Sequence, residues 1–322
     1  MPVDFSGWCA ESAERLREKG AIRGTVGSAY WAYVGAWLSL SSRVPLGTNV
    51  FTRDWDALLI LDACRVDALR MVADEYDFID TVDSIVSVGS TSFEWMSKTF
   101  TRRHAETIDG TAYVSANPYL RQVFYENEHP PMGDSIPFGP TDYDTVDPEN
   151  FAFLDEVQQY GIDDTIDTVP PRTMTDRAID VGRTVDPDRL VVHYLQPHEP
   201  YFDANLENVE RTRYRLQNGE VTRNEAFERY LETLRVVLDD VEVLLRNLDA
   251  ETVVITADHG ELFGELGAYG HPIGFPHPAV KRVPWVETSA TDTGSYEPMV
   301  EPPAEVEADD YLEDHLENLG YL

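Results

Sequence analysis

Along the chain, short apolar runs alternate with stretches of helical periodicity. Residues 57–61 (ALLIL), 190–195 (LVVHYL) and 252–256 (TVVIT) are unbroken apolar or β-branched runs, the pattern of strands buried on both faces. Residues 85–88 and the pair Tyr113-Val114 read as further strands. Val66, Leu69, Met71 and Val72 follow the first run at helical spacing. Phe227, Tyr230, Leu231, Leu234, Val237, Leu238, Val241, Leu244 and Leu248 step by three and four, which predicts one long helix with an apolar stripe. Strands alternating with helices predict an α/β fold: a mostly parallel central sheet with helices on both faces. Residues 126–150, rich in Pro, Gly, Asp and Glu, read as a loop.

The expected domain runs over residues 51–290. Before it, residues 1–50 form a helical segment expected to pack on the domain. Its stretch 24–42 has no charge but carries five hydroxyls and three glycines, too polar to span a membrane. With Tyr30, Trp31, Tyr33 and Trp37 it could instead make peripheral contact with a membrane surface. After the domain, residues 291–322 read as an acidic linker and a C-terminal helix at 311–319.

Charge changes the picture more than size does. The 322 residues hold 25 basic and 59 acidic side chains, a net charge of −34, which repels nucleic-acid phosphates and argues against a nucleic-acid partner. Lys19, Lys98 and Lys281 are the only lysines. Dispersed acid with scarce lysine fits a halophilic, archaeal-type protein, in which concentrated salt screens the repulsion, and a cytoplasmic location is expected. Cys9 and Cys64 are too few for a disulfide framework.

In a parallel sheet, ligands bind beyond the carboxyl ends of the strands. The first run closes at Asp62, LVVHYL leads to Gln196-Pro197-His198, and TVVIT leads to Asp258-His259-Gly260. Asp and His side chains together suit Zn²⁺ or Mn²⁺, as one ion or two, better than Ca²⁺ or Mg²⁺. Five of the eight histidines, His193, His198, His259, His271 and His277, fall within residues 193–277.

These residues carry a resemblance. TADHGELFGE (256–265) resembles the metal-binding signature of sulfatases and the wider alkaline phosphatase superfamily, in which the Asp and His of Asp-His-Gly bind the metal. LLILDACRVDAL (58–69) is similar to the first motif, whose strand presents a metal-binding Asp. HYLQPHEPY (193–201) resembles the segment whose histidine contacts the substrate's sulfate or phosphate. YGHP (269–272) and RVPWV (282–286) resemble the closing segments, with His271 where sulfatases usually place a substrate-binding Lys. The resemblance implies that Asp62, Asp258 and His259 hold metal and that His198 and His271 bind substrate. His193 is expected to bind substrate or a second metal, or to orient the first metal's ligands, and Arg65 to reach a substrate oxygen.

The departures are informative. No C-x-[PSA]-x-R sequence is present to supply a formylglycine nucleophile: Cys64 sits in CRVDA and Cys9 in CAESA. Gly89-Ser90-Thr91-Ser92 resembles the Gly-x-Thr-Ser segment of lipoteichoic acid synthases and phosphoethanolamine transferases, which implies Thr91, or else Ser90, as nucleophile, with Thr91 also on the metal. The same residues also suit a helix N-cap, with Glu94 completing a capping box. The expected function is a metal-dependent hydrolase of phosphate esters of a small molecule or glycan, with sulfate esters as the secondary choice. The alternatives are a phosphotransferase moving a head group onto a glycan or lipid, or a relative that binds anions or glycans without turnover. Oligomeric state is open.

Overall fold

A computed structural model describes residues 4–131, 135–137 and 139–299. The expected C-terminal helix at 311–319 and most of the linker before it lie outside the described residues. The strands are β1 (Ala57–Leu61), β2 (Asp83–Val86), β3 (Thr111–Ser115), β4 (Phe153–Glu156), β5 (Arg189–Tyr194) and β6 (Ala250–Thr256), then the two-residue pair β7 (Leu262–Phe263) and β8 (Tyr269–Gly270), and finally β9 (Arg282–Ala290). Between and before them come α1 (Phe5–Ser41), α2 (Val66–Val72), α3 (Ser92–Thr99), α4 (Ala105–Asp109), α5 (Tyr119–Phe124), α6 (Pro171–Thr184), α7 (Thr212–Gln217), α8 (Arg223–Leu245) and α9 (Pro278–Lys281).

Seven strands make one sheet in the order β2-β9-β6-β1-β5-β3-β4. The run β6-β1-β5-β3-β4 is parallel, and β9 is antiparallel to both β6 and β2. The α/β fold with a mostly parallel sheet is therefore what the chain forms. All five residues of β1 are buried, as its unbroken apolar sequence requires when both faces are covered. Consecutive residues of β5 show the two faces. Tyr194 bonds Thr175 of α6 (2.8 Å), whereas His193 turns its ring to Trp95 of α3, 5.7 Å between centroids. Helix α8 opens with a capping box of Thr222 and Glu225 and buries the expected stripe through Tyr230, Leu234, Val237, Val241 and Leu244.

Helix α1 bends at Gly20 (φ 77°, ψ 169°) into two arms that pack on each other: a Cβ on Gly24 would lie 2.6 Å from the Cα of Leu16. Its second arm meets the domain. Tyr30 and Tyr33 donate to the carbonyls of Ile273 and Gly274, both at 2.7 Å. Among the described residues, no helix is long and apolar enough to cross a membrane.

Candidate active site

Four neighbouring strands, β6, β1, β5 and β3, end side by side, and each delivers one polar group: Asp258, Asp62, His193 and Asn117. Immediately after β1 the chain turns sharply at Ala63, whose φ of 61° is left-handed and unfavourable for a residue with a Cβ. Tyr230 of α8 holds this turn, donating to the Ala63 carbonyl and accepting from the Arg65 amide, both at 2.9 Å. The turn points the Ala63 amide at Asp258 Oδ1, 3.3 Å away. After β6, Gly260 is required because a Cβ would sit 2.0 Å from the Ala279 carbonyl oxygen.

Asp62, His193 and Asp258 are fully buried, and one ligand atom from each lies within 4.8 Å of the others. His193 Nε2 and Asp258 Oδ2 are buried without a hydrogen-bond partner. Burial of such atoms is costly unless something binds them, so the set fits a cation. Tyr113 meets His193 Nδ1 at 2.8 Å and orients the ring so that Nε2 faces both carboxylates at 3.8 Å. Burial holds the His193 pKa down to about 4, so the imidazole is neutral and can act as a ligand. Burial pushes the Asp258 carboxyl up, but the neighbouring His259 ring and the hydrogen bond from the His259 amide outweigh it, leaving a pKa below the ordinary value.

His259 joins the same group. Its Nδ1 donates to the Gly260 carbonyl (3.0 Å), which turns Nε2 toward Asp258 Oδ2 at 3.3 Å and Asp62 Oδ1 at 3.5 Å. The chemistry of the set, two carboxylates and two imidazoles, suits Zn²⁺ or Mn²⁺. His271 stacks on His259 with centroids 4.3 Å apart, and His198 lies 5.1 Å beyond His271. His271 Nδ1 is 2.9 Å from Glu261 Oε2, and burial pushes Glu261 up to about 7. Three of the expected histidines thus form a row leading away from the carboxylates.

The hydroxyl segment lies at the head of α3. Thr91 is its N-cap, Oγ1 accepting from the Glu94 amide at 3.0 Å, and Thr91 is partly exposed. The hydroxyl in contact with the acidic group belongs to the next residue. Ser92 Oγ donates to Asp62 Oδ2 at 3.1 Å and lies 3.2 Å from His259 Nε2. Asn117 Nδ2 donates to the same Asp62 oxygen at 2.8 Å.

Two expected roles change in the structure. Ser90 is unsuited as a nucleophile, because its buried Oγ is bound to Glu94 Oε2 and the Gly274 amide, each at 2.6 Å. Arg65 does not reach the site. Its guanidinium folds back onto Asp67 (2.9 and 2.7 Å), Glu265 (2.8 Å) and the Glu261 carbonyl (2.9 Å), between the rings of Phe227 and Phe263. Of the alternatives expected for His193, its placement fits the metal one: it faces the two aspartates rather than the histidine row. Ser92 and Tyr113 were not anticipated as members of the site. Ser92 could have been suspected only from its place in a run of three hydroxyls, and Tyr113 from lying on a strand beside β5.

The site is thus an Asp-His-Asp group at the carboxyl edge of a mostly parallel α/β sheet, with hydroxyls at a facing helix N-terminus. A family model described as Sulfatase matches residues 89–297, and the chain belongs to that family. No curated protein matches the sequence. Among solved structures, the chain is similar to the soluble domain of lipooligosaccharide phosphoethanolamine transferase A from Neisseria meningitidis, at 14% identity and a TM-score of 0.47, over 72% of this chain and 75% of that one. It is also similar to the C-terminal periplasmic domain of EcEptC from Escherichia coli in complex with Zn, at 11% identity and a TM-score of 0.45, over 76% of each chain.

Proposed function

We propose that this chain is a metal-dependent hydrolase of phosphate esters that uses the Thr91 hydroxyl as nucleophile. The observation that carries the reading is the pairing of two features. A buried Asp62–His193–Asp258–His259 group fits a divalent cation, and the hydroxyls of residues 90–92 stand at the head of α3, with Ser92 bonded to Asp62. Cys64 cannot substitute, because it lies buried behind the turn at Ala63 and burial raises its thiol pKa far above the ordinary range.

Asp62, Asp258, His193 and His259 would hold the cation. When bound, a divalent ion makes a hydroxyl ionise nearer neutral pH and offsets charge on the phosphoryl oxygens. Thr91 is the hydroxyl of the segment that solvent reaches, and the Glu94 amide at the start of α3 donates to its oxygen, stabilising the alkoxide. Ser92 and Asn117 orient Asp62. His271 and His198 offer donors to the phosphoryl oxygens or the leaving group. The Thr91 oxygen forms a bond to phosphorus as the ester oxygen leaves and takes up a proton. Water then cleaves the phosphothreonine, releasing phosphate and restoring the hydroxyl.

The test is metal content and hydrolysis of p-nitrophenyl phosphate, bis-p-nitrophenyl phosphate and p-nitrophenyl sulfate by protein purified in molar KCl, beside Thr91→Ala and Asp258→Ala. The expected result is loss of bound metal in Asp258→Ala and loss of phosphate-ester cleavage in both variants. Cleavage of the sulfate alone, or turnover unaffected by Thr91→Ala, would overturn the assignment.

A further inference from the structure

Beneath the hydroxyl segment lies a buried charge cluster that the reaction does not use. Glu94 is fully buried; its Oε2 accepts from both the amide (2.7 Å) and the hydroxyl (2.6 Å) of Ser90. Its Oε1 accepts from the indole N–H of Trp37 at 2.9 Å and from Lys98 Nζ. Lys98 also donates to Ser41 Oγ at 2.7 Å, and Lys281 donates to the Gly89 carbonyl at 2.7 Å. Both ammonium groups lie against the Trp37 ring, 5.6 and 5.9 Å from its centroid. Two of the chain's three lysines are therefore placed under this one segment. From Ser90 the linkage continues to the Gly274 amide, three residues past His271, where a Cβ would fall 2.8 Å from Trp37.

A helix cap alone would need less. In a capping box the N3 carboxylate returns to the amide of the N-cap residue, here Thr91. Glu94 instead reaches one residue further back, to Ser90, and its second oxygen is shared between Lys98 of α3 and Trp37 of α1. One carboxylate thus ties together the residue before Thr91, the loop that carries His271, and a helix that lies outside the family-matched span 89–297. A buried ion pair is a weak source of net stability, but removing one partner leaves an uncompensated charge, so the pair fixes the groups around it in one arrangement.

We propose that Glu94 is a positioning residue for the nucleophile segment and that α1 holds it in register through Trp37; the proposal rests on the reading of residues 90–92 as that segment. The experiment is Trp37→Phe in the full chain, which keeps the ring and removes the N–H, with Glu94→Gln beside it. Two readouts are taken: amide hydrogen exchange by mass spectrometry, and kcat and KM for the phosphate ester. Trp37→Phe is expected to speed exchange in peptides covering 89–92 and 271–275 while peptides from β1 and β6 are unchanged. It should lower kcat about tenfold with KM within about twofold, as a small misplacement of a reacting group does. Glu94→Gln should lower kcat further. Unchanged exchange and kcat in Trp37→Phe overturn the proposal. So does faster exchange spread through the whole sheet, which would make α1 a general stabiliser. If the wild-type protein cleaves no ester, the functional reading fails, and the exchange pattern alone decides whether α1 holds the segment.

Discussion

Asp62 and Asp258 follow directly from residue-level logic, since a charged residue ending an unbroken apolar strand must meet something polar at the sheet edge. Their convergence with His259 makes a sharp expectation: Asp258→Ala removes a ligand, whereas Ser92→Ala and Asn117→Ala, each bonded to Asp62, should weaken metal affinity about 10–100-fold without removing one. Isothermal titration with Zn²⁺ or Mn²⁺ would show it, and equal affinities for the wild type and Ser92→Ala would exclude the arrangement. Thr91→Ala should cut ester turnover by about a thousandfold while metal binding persists. If Ser92→Ala is the dead variant and Thr91→Ala is active, the nucleophile is Ser92. The sequence marks the three-hydroxyl run, but the helix phase that turns Ser92 toward Asp62 depends on where α3 begins. Which of its expected roles His193 takes was not legible for a related reason. It sits inside a strand, so its face and neighbours follow from sheet order, which no single strand encodes.

Among the elements, strands β1, β5 and β6 stood out because each is an apolar run between turn signals. Strand β9 did not, because Pro284 and the polar residues after it argue against a strand. It is sustained by pairing on both sides, with β6 and β2. For α1 the packing on the domain was expected but its partners were not legible: Ile273, Gly274 and Glu94 receive its aromatic face. Where elements join, the turn after β1 is a weak point. Tyr230→Phe strips bonds from the buried Ala63 carbonyl and Arg65 amide and should cost about 1–3 kcal/mol, read from urea unfolding. No loss would mean that the turn at Ala63 holds without α8. The α1–α3 contact predicts a pH effect. Burial raises the Glu94 carboxyl, but Lys98 and Lys281 overcome it and hold its pKa at about 2, against an ordinary 4.5. Its contribution is thus complete above pH 4.5 and is lost as pH falls toward 2. Glu94→Gln should flatten the stability profile in that window, and an identical slope in both proteins would contradict the pairing.

For the whole molecule, the dominant quantity is the net charge of −34. Exposed carboxylates far outnumber the arginines that pair with them, so stability should climb with salt as the Debye length falls from about 10 Å at 0.1 M to about 3 Å at 1 M. The thermal midpoint in KCl should rise by roughly 2–4 °C for each kcal/mol of repulsion removed. A midpoint independent of KCl would show that the acidic surface is already compensated within the fold. The order of the central strands has a consequence for how the protein comes into being. Asp62 and Asp258 stand on adjacent strands, yet nearly the whole domain is synthesised between them. A nascent chain emerging from the ribosome carries half a ligand set until β6 inserts beside β1, and such non-local closure comes late. On the proposed reading, only a chain whose β6 has paired with β1 would hold the ion, so metal capture would report that step.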